Sequence, residues 1–132
     1  MPREELEREI AAGVVFFLCE DDSRVAGVMG IQDKGDVALV RHAYVAPAMQ
    51  RKGVGQALLR HLQSLTPKPI LIGTWAAATW AVDFYRRNGF TVVSDAEKNR
   101  LLRTYWSIPV RQIETSVVLA DRRWVNRERR DL

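Results

Sequence analysis

At Pro47 the hydrophobic pattern changes period, and no other feature constrains the fold as much. Before it, the apolar residues come in three short β-rich runs, VVFFLCE, VAGVMGIQ and VALVRHAYV. The turn signals DDSR and DKGD separate them. Such runs, joined by turns this short, predict an antiparallel meander. Ahead of it, PREELEREI predicts a short helix. Pro2 suits its first turn, Leu6 and Ile10 share a face, and Gly13 stops it.

After Pro47, helices alternate with strands. QRKGVGQALLRHL, residues 50–62, reads as a glycine turn followed by a helix. Val54, Ala57, Leu58, His61, Leu62 and Leu65 fall on one helical face, and Thr66-Pro67 ends the helix. PILIGTW is almost wholly apolar, as expected of a strand buried on both faces. TWAVDFYRRNG predicts a helix with Trp80, Ala81 and Phe84 facing inward. Asn88-Gly89 closes it with a left-handed cap. FTVVS reads as a short strand, and SDAE has the form of a capping box for a helix over 95–106. QIETSVVLA alternates and reads as the last strand. The predicted class is α/β, a mixed and mostly antiparallel sheet flanked by helices.

A chain of 132 residues suffices for one domain, expected over 1–120, with 121–132 as a basic tail. The net charge is +4, and about half of the excess sits in that tail. There Arg122, Arg123, Arg127, Arg129 and Arg130 face Asp121, Glu128 and Asp131. The tail, Trp124 included, reads as a solvated or disordered charge run rather than an RNA-binding element. The body is only mildly basic, which argues against duplex DNA as the partner. The single cysteine, Cys19, rules out an internal disulfide and a multi-cysteine zinc site, and reads as a buried strand residue. No apolar stretch approaches the roughly 20 residues of a membrane span. These features predict a cytoplasmic protein with no membrane association and no metal.

A glycine turn feeding a helix N-terminus is an anion site, because unpaired N–H groups and the positive end of the helix dipole meet there. Gly53 and Gly55 let a phosphate approach the backbone closely, and Arg51 and Lys52 add mobile charge. A P-loop would need Gly-Lys-Ser/Thr, but Gln56-Ala57 follows Gly55. A dinucleotide fingerprint would need a third glycine where Leu58 stands.

The order of meander, V-x-P, QRKGVG, helix, apolar strand and AVDFYRRNGF resembles the GCN5-related N-acetyltransferase (GNAT) superfamily over roughly residues 14–120. Gln50, Gly53 and Gly55 match its Q/R-x-x-G-x-G/A motif. Phe84-Tyr85 and Gly89-Phe90 match its second motif. Members usually carry a further strand and one or two helices before the hairpin, where this chain has only PREELEREI. That predicts an exposed sheet edge or an open acceptor side, which a second copy could cover as a homodimer.

The resemblance implies acetyl-CoA as co-substrate, lying between strands 37–45 and 70–75 that splay apart as a parallel pair. The backbone amides of Arg51, Lys52, Gly53, Val54, Gly55 and Gln56 would hold the pyrophosphate. Ala43, Tyr44 and Val45 would pair with the pantetheine arm. Ala78 stands where relatives often have a cofactor-contacting Asn, so Thr79 or a backbone group would substitute. Tyr85 matches a tyrosine that often serves as general acid. Its phenol, ordinarily near pKa 10, is close to a thiol in acidity and can donate without being strongly acidic.

Strand parity puts Leu39, Arg41 and Ala43 on one face and Val40, His42 and Tyr44 on the other. Leu39 and Arg41 fall where relatives place substrate-facing residues, and neither is a base. Arg41 suits an acidic acceptor or an ion pair with a neighbouring acid. His42 points away unless a bulge turns it, leaving water or an already neutral amine as alternatives for the base. His61 reads as a packing residue. The implied activity is transfer of acetyl to a primary amine of a small molecule or peptide. The competing reading is a catalytically weak acyl-CoA-binding sensor or subunit.

Overall fold

A computed structural model describes residues 2–130, and the chain forms two compact units, 1–67 and 68–132. The first contains α1 (Arg3–Ala11), β1 (Val14–Asp21), β2 (Arg24–Asp33), β3 (Ala38–Val45) and α2 (Val54–Leu65). β1 pairs with β2 and β2 with β3, both antiparallel. The β1–β2 turn is two residues long, with Asp22 and Ser23 both left-handed at φ 49° and 67°. Such a turn matches the right-handed twist of the strands it joins. The expected meander and leading helix are therefore present. β1 leaves Val15 and Leu18 exposed.

α2 buries Val54, Leu58, Leu59 and Leu62. The buried stripe is rotated from the predicted one: Ala57, His61 and Leu65 are exposed, while Leu59 is fully buried. The close approach of α2 to β2 sets this rotation. A side-chain carbon at Gly27 would lie 2.9 Å from Val54 Cγ1 and 3.2 Å from Leu58 Cδ1. His61 still packs, edge-on against Phe17 of β1 at 4.9 Å between ring centroids. Cys19 is half-buried on β1.

The second unit contains β4 (Ile70–Trp75), α3 (Thr79–Arg87), β5 (Thr91–Val92), α4 (Asp95–Tyr105), α5 (Val110–Thr115), β6 (Ser116–Ala120) and α6 (Arg122–Arg130). β6 lies between β4 and β5 and is antiparallel to both. Ile70, Leu71 and Ile72 are all buried, so successive residues are covered on opposite faces, as the apolar run predicts. Ser94 caps α4 by accepting from the Glu97 N–H at 3.3 Å. Gly89 ends α3 at φ 91°.

Three sequence expectations fail in this unit. Residues 110–115 are helical, so only the second half of QIETSVVLA is strand. β4 ends at Trp75 opposite Ser116, which leaves the preceding segment no strand partner in that pair. The segment bonds internally instead, and the Pro109 carbonyl accepts from the Gln112 and Ile113 N–H groups. Trp80 is 77% exposed rather than inward-facing, because α3 buries Ala81 and Tyr85. The arginine-rich tail, described to residue 130, is a helix and not a disordered run. Trp124 is buried and donates Nε1–H to Glu97 Oε1 at 2.9 Å. Arg122 and Arg127 remain exposed.

Candidate functional site

The glycine turn links β3 to α2. Gln50 Nε2 donates to the Val45 carbonyl at 3.4 Å, bracing the loop against the end of β3. Arg51 and Gly53 are left-handed at φ 67° and 82°, with Lys52 between them, and all three are exposed. Gly53 is the residue from which α2 departs, and its carbonyl accepts the first helical bond, from the Ala57 N–H at 2.9 Å. The amides of Val54, Gly55 and Gln56 thus precede the helical ladder. Left-handed residues alternating through such a turn curl successive N–H groups into an anion-binding concavity. A side-chain carbon at Gly53 would meet nothing within 4 Å, so glycine stands there for its backbone angle.

β3 carries a β-bulge. Gly30 pairs with Arg41 and Val28 with Tyr44, so one residue of β2 faces His42 and Ala43 together. His42 takes φ 53°, a rare angle for a non-glycine residue. The bulge cancels the parity expected from the sequence and puts Arg41 and His42 on the same side. Both reach Glu9 of α1. Arg41 Nη2 lies 3.6 Å and His42 Nε2 3.3 Å from Glu9 Oε2. The His42 contact is within ion-pair range but lacks the angle of a hydrogen bond, so Nε2 is buried with no hydrogen-bond partner. The imidazole also leans on Phe16 of β1, 6.1 Å between centroids. Of the other residues proposed on β3, Leu39 is fully buried in the core, Ala43 and Tyr44 are exposed, and Val45 is half-buried.

In the second unit, Tyr85 is 7% exposed, with its ring against Phe84 at 5.2 Å and Phe90 at 5.9 Å. Burial pushes its phenol from 10.0 up to about 12. The group is therefore protonated throughout the physiological range but is a weaker acid than the sequence alone implies. Thr79 is the exposed first residue of α3, and Ala78 precedes it with no side-chain cap.

A cavity of about 420 Å³ opens beside them, lined among others by Trp75, Trp80, Trp106, Thr74, Gln112 and Ser116. Gly73 makes room for Trp106, whose Cζ2 would lie 3.3 Å from any side-chain carbon there. No residue lining it is charged. Sequence reasoning missed this cavity and did not identify Glu9 as the acid beside Arg41 and His42, and it left the bulge only as a condition. The one available signal was Arg41-His42, two polar neighbours in an otherwise apolar strand, which strict alternation cannot place on one face. Among the described residues no cluster of three or more His, Cys, Asp or Glu side chains could hold a metal ion, and no helix is long and apolar enough to cross a membrane.

Comparison with known proteins gives these elements a family. The profile of the acetyltransferase (GNAT) domain matches residues 12–92. A peptidyl-lysine N-acetyltransferase of Escherichia coli, YiaC, is 28% identical over 87 residues. That match covers 66% of this chain and 57% of the relative's length. Among solved structures, the PaiA N-acetyltransferase of Thermoplasma acidophilum, in complex with coenzyme A, superposes with a TM-score of 0.66 at 17% identity. It covers 89% of this chain and 67% of that one. A GNAT-family acetyltransferase of Staphylococcus aureus gives 0.69 at 17% identity, covering 89% and 73%. These likenesses show the shared α/β fold. With its glycine turn, its α3 tyrosine and a profile match over most of its length, the chain belongs to the GNAT acetyltransferase family.

Proposed function

We propose that the protein is an acetyl-CoA-dependent N-acetyltransferase acting on a primary amine of a small molecule or peptide. The observation that carries this is the turn over 50–56, where left-handed Arg51 and Gly53 flank Lys52 at the start of α2. Its curled amides and two cations suit a pyrophosphate, which brings two adjacent phosphoryl groups to one helix end. In this reading Gln50 braces the turn, and the backbone of Ala43–Val45 pairs with the pantetheine amides as a strand would. Thr79 stands at the start of α3 as a further cofactor contact. Tyr85 supplies the proton for the departing thiolate. Arg41 lies near the acceptor, its charge already shared with Glu9. The coenzyme A complex of the Thermoplasma relative and the activity named for the E. coli relative support the co-substrate and the amine acceptor.

The test separates charge from backbone strain. Asn and Asp both tolerate the left-handed angle at residue 53 and share a shape. Acetyl-CoA should raise the melting temperature of the wild type, because it binds the native state. Gly53→Asn should keep part of that shift. Gly53→Asp should lose it, with the gap between the two widening at low salt. Equal shifts in both variants would remove the pyrophosphate from this turn.

A further inference from the structure

We propose that the tryptophan-lined cavity of the second unit receives the group carried by the acceptor amine and selects an uncharged aromatic ring. The proposal rests on the acetyltransferase reading and adds to it the class of acceptor.

The cavity is built from three parts of the chain. β4 supplies Gly73 and Trp75, α3 supplies Trp80, and the segment from α4 to α5 supplies Trp106, Ile108 and Gln112. The chain's own hydrogen bonds brace these walls. The Ala76 N–H donates to the Thr115 carbonyl at 2.9 Å and the Ala78 N–H to the Trp75 carbonyl at 3.1 Å, which fixes the turn between Trp75 and Trp80. Ser116 Oγ donates to the Gln112 carbonyl at 2.6 Å, which ties α5 to the start of β6. Ligand pockets are usually pre-formed in this way.

Two observations mark the cavity as a binding site rather than a gap in packing. Trp75 and Trp80 both line it and are 64% and 77% exposed. Large apolar surfaces left in water around one concavity mark a site that a ligand covers. The other is Gly73, which is exposed although the three residues before it in β4 are buried. A glycine inside a strand gives up packing and marks a close approach to the backbone. Trp106 would crowd a side-chain carbon there at 3.3 Å, yet Gly73 stays open and lines the cavity.

The lining sets the chemistry of the occupant. A volume of about 420 Å³ lies within the roughly 300–1,000 Å³ of small-molecule pockets. Three indoles favour a planar ring, stacked or edge-on. No residue lining the cavity is charged, so a carboxylate or guanidinium buried in it would have no counter-ion. Thr74 and Gln112 can serve one polar substituent on the ring. The acidic acceptor that Arg41 suits is not required, because that guanidinium already lies 3.6 Å from Glu9 Oε2.

α3 links the cavity to the reacting group. Ala78, at the N-terminus of α3, lines the cavity, and Tyr85 follows seven residues later. Seven residues are two helical turns, so the two share a face about 10 Å apart along the axis. A ring seated at Ala78 therefore lies on the Tyr85 side of the helix. In the reaction the amine nitrogen forms a bond to the thioester carbon and the carbon–sulfur bond breaks. The sulfur takes a proton from Tyr85, and the proton lost by nitrogen passes through water to restore it.

The experiment measures thiol release from acetyl-CoA with four amines, for wild type, Trp80→Ala and Gln112→Arg. The amines are 2-phenylethylamine, 2-methoxyethylamine of similar basicity, 4-(2-aminoethyl)benzoate and spermidine. Calorimetric titration with 2-phenylethylamine reads binding apart from turnover, and the acetyl-CoA melting shift reports that each variant is folded. The wild type should favour 2-phenylethylamine over 2-methoxyethylamine in kcat/KM by about 10- to 100-fold, the gain from burying one phenyl ring. The benzoate should lose that advantage. Trp80→Ala removes an exposed side chain and should raise the KM for 2-phenylethylamine about 5- to 10-fold. Gln112→Arg should improve the benzoate about 10-fold relative to the neutral ring, a gain that misfolding cannot mimic. Best turnover with 2-methoxyethylamine, the benzoate or spermidine in the wild type would overturn the proposal. So would an unchanged preference in Trp80→Ala, or no gain with the benzoate in Gln112→Arg. Binding of 2-phenylethylamine that weakens in Trp80→Ala, without thiol release from any amine, would sink the acetyltransferase reading and leave the ring selectivity of the cavity standing.

Discussion

Replacing Tyr85 by Phe deletes one hydroxyl from a ring that is 7% exposed and wedged between Phe84 and Phe90. Burial raises the phenol from 10.0 to about 12, so the folded chain holds its proton where the unfolded chain has lost it. The sign follows from linkage. Below pH 10 both states are protonated and the stability contribution is fully present. It is lost as pH rises through the folded value, because the unfolded state ionises first. Each unit of displacement corresponds to about 1.4 kcal/mol, so the wild type should lose about 1.4 kcal/mol between pH 8 and 11 beyond what Tyr85→Phe loses. The remaining tyrosines and the lysines titrate in both proteins and cancel in the difference. Urea denaturation of the pair at the two pH values measures it. Parallel losses would refute the burial argument. The same variant tests the chemistry at neutral pH. Turnover should fall on the order of 100-fold while the acetyl-CoA melting shift stays put. Full turnover by Tyr85→Phe would return the residue to packing.

Two further substitutions probe the frame that holds the site. Gly27→Ala would place a carbon 2.9 Å from Val54 Cγ1 and 3.1 Å from the Tyr44 carbonyl oxygen, forcing α2 off the sheet. It should cost roughly 1–3 kcal/mol in urea denaturation, and an unchanged midpoint would contradict the close packing of α2 on β2. Asp121 is buried at the start of α6, where its Oδ1 accepts from the Arg123 and Trp124 N–H groups at 3.1 and 3.3 Å. Burial is the larger influence on its carboxyl and raises its pKa above 3.8, against those bonds and the Arg123 charge. The wild type should therefore lose stability as pH rises from 3.8 through the raised value. Asp121→Asn keeps the cap and should gain on the wild type over that window. A constant difference between the two proteins from pH 3.5 to 7 would count against the burial.

Where the sequence was read correctly, the signal and the structure it specifies lie within a few residues of each other. Ser94 caps α4 because its own hydroxyl reaches the Glu97 N–H. Asp22-Ser23 turns the first hairpin and Gly89 ends α3 because those residues tolerate the backbone angles required. Gly53 marks the turn into α2 for the same reason, and the GNAT motifs are legible because they consist of such local requirements. The features misread or missed are set by partners far along the chain. Trp80 has the same helical spacing whether it faces in or out, and the packing of Ala81 and Tyr85 decides that it faces out. Residues 112–115 begin a run that alternates like a strand, but they lie beyond the end of β4, so they have no ladder to join. His42 changes sides because β3 holds one more residue than β2 between their paired positions. Glu9 is one acid in a charged helix until α1 brings it to Arg41 and His42. A strand's parity depends on its register with a neighbour, and register is a property of the folded sheet. The glycine turn was therefore written in the sequence, whereas the meeting of Glu9 with Arg41 and His42 exists only once the meander has paired.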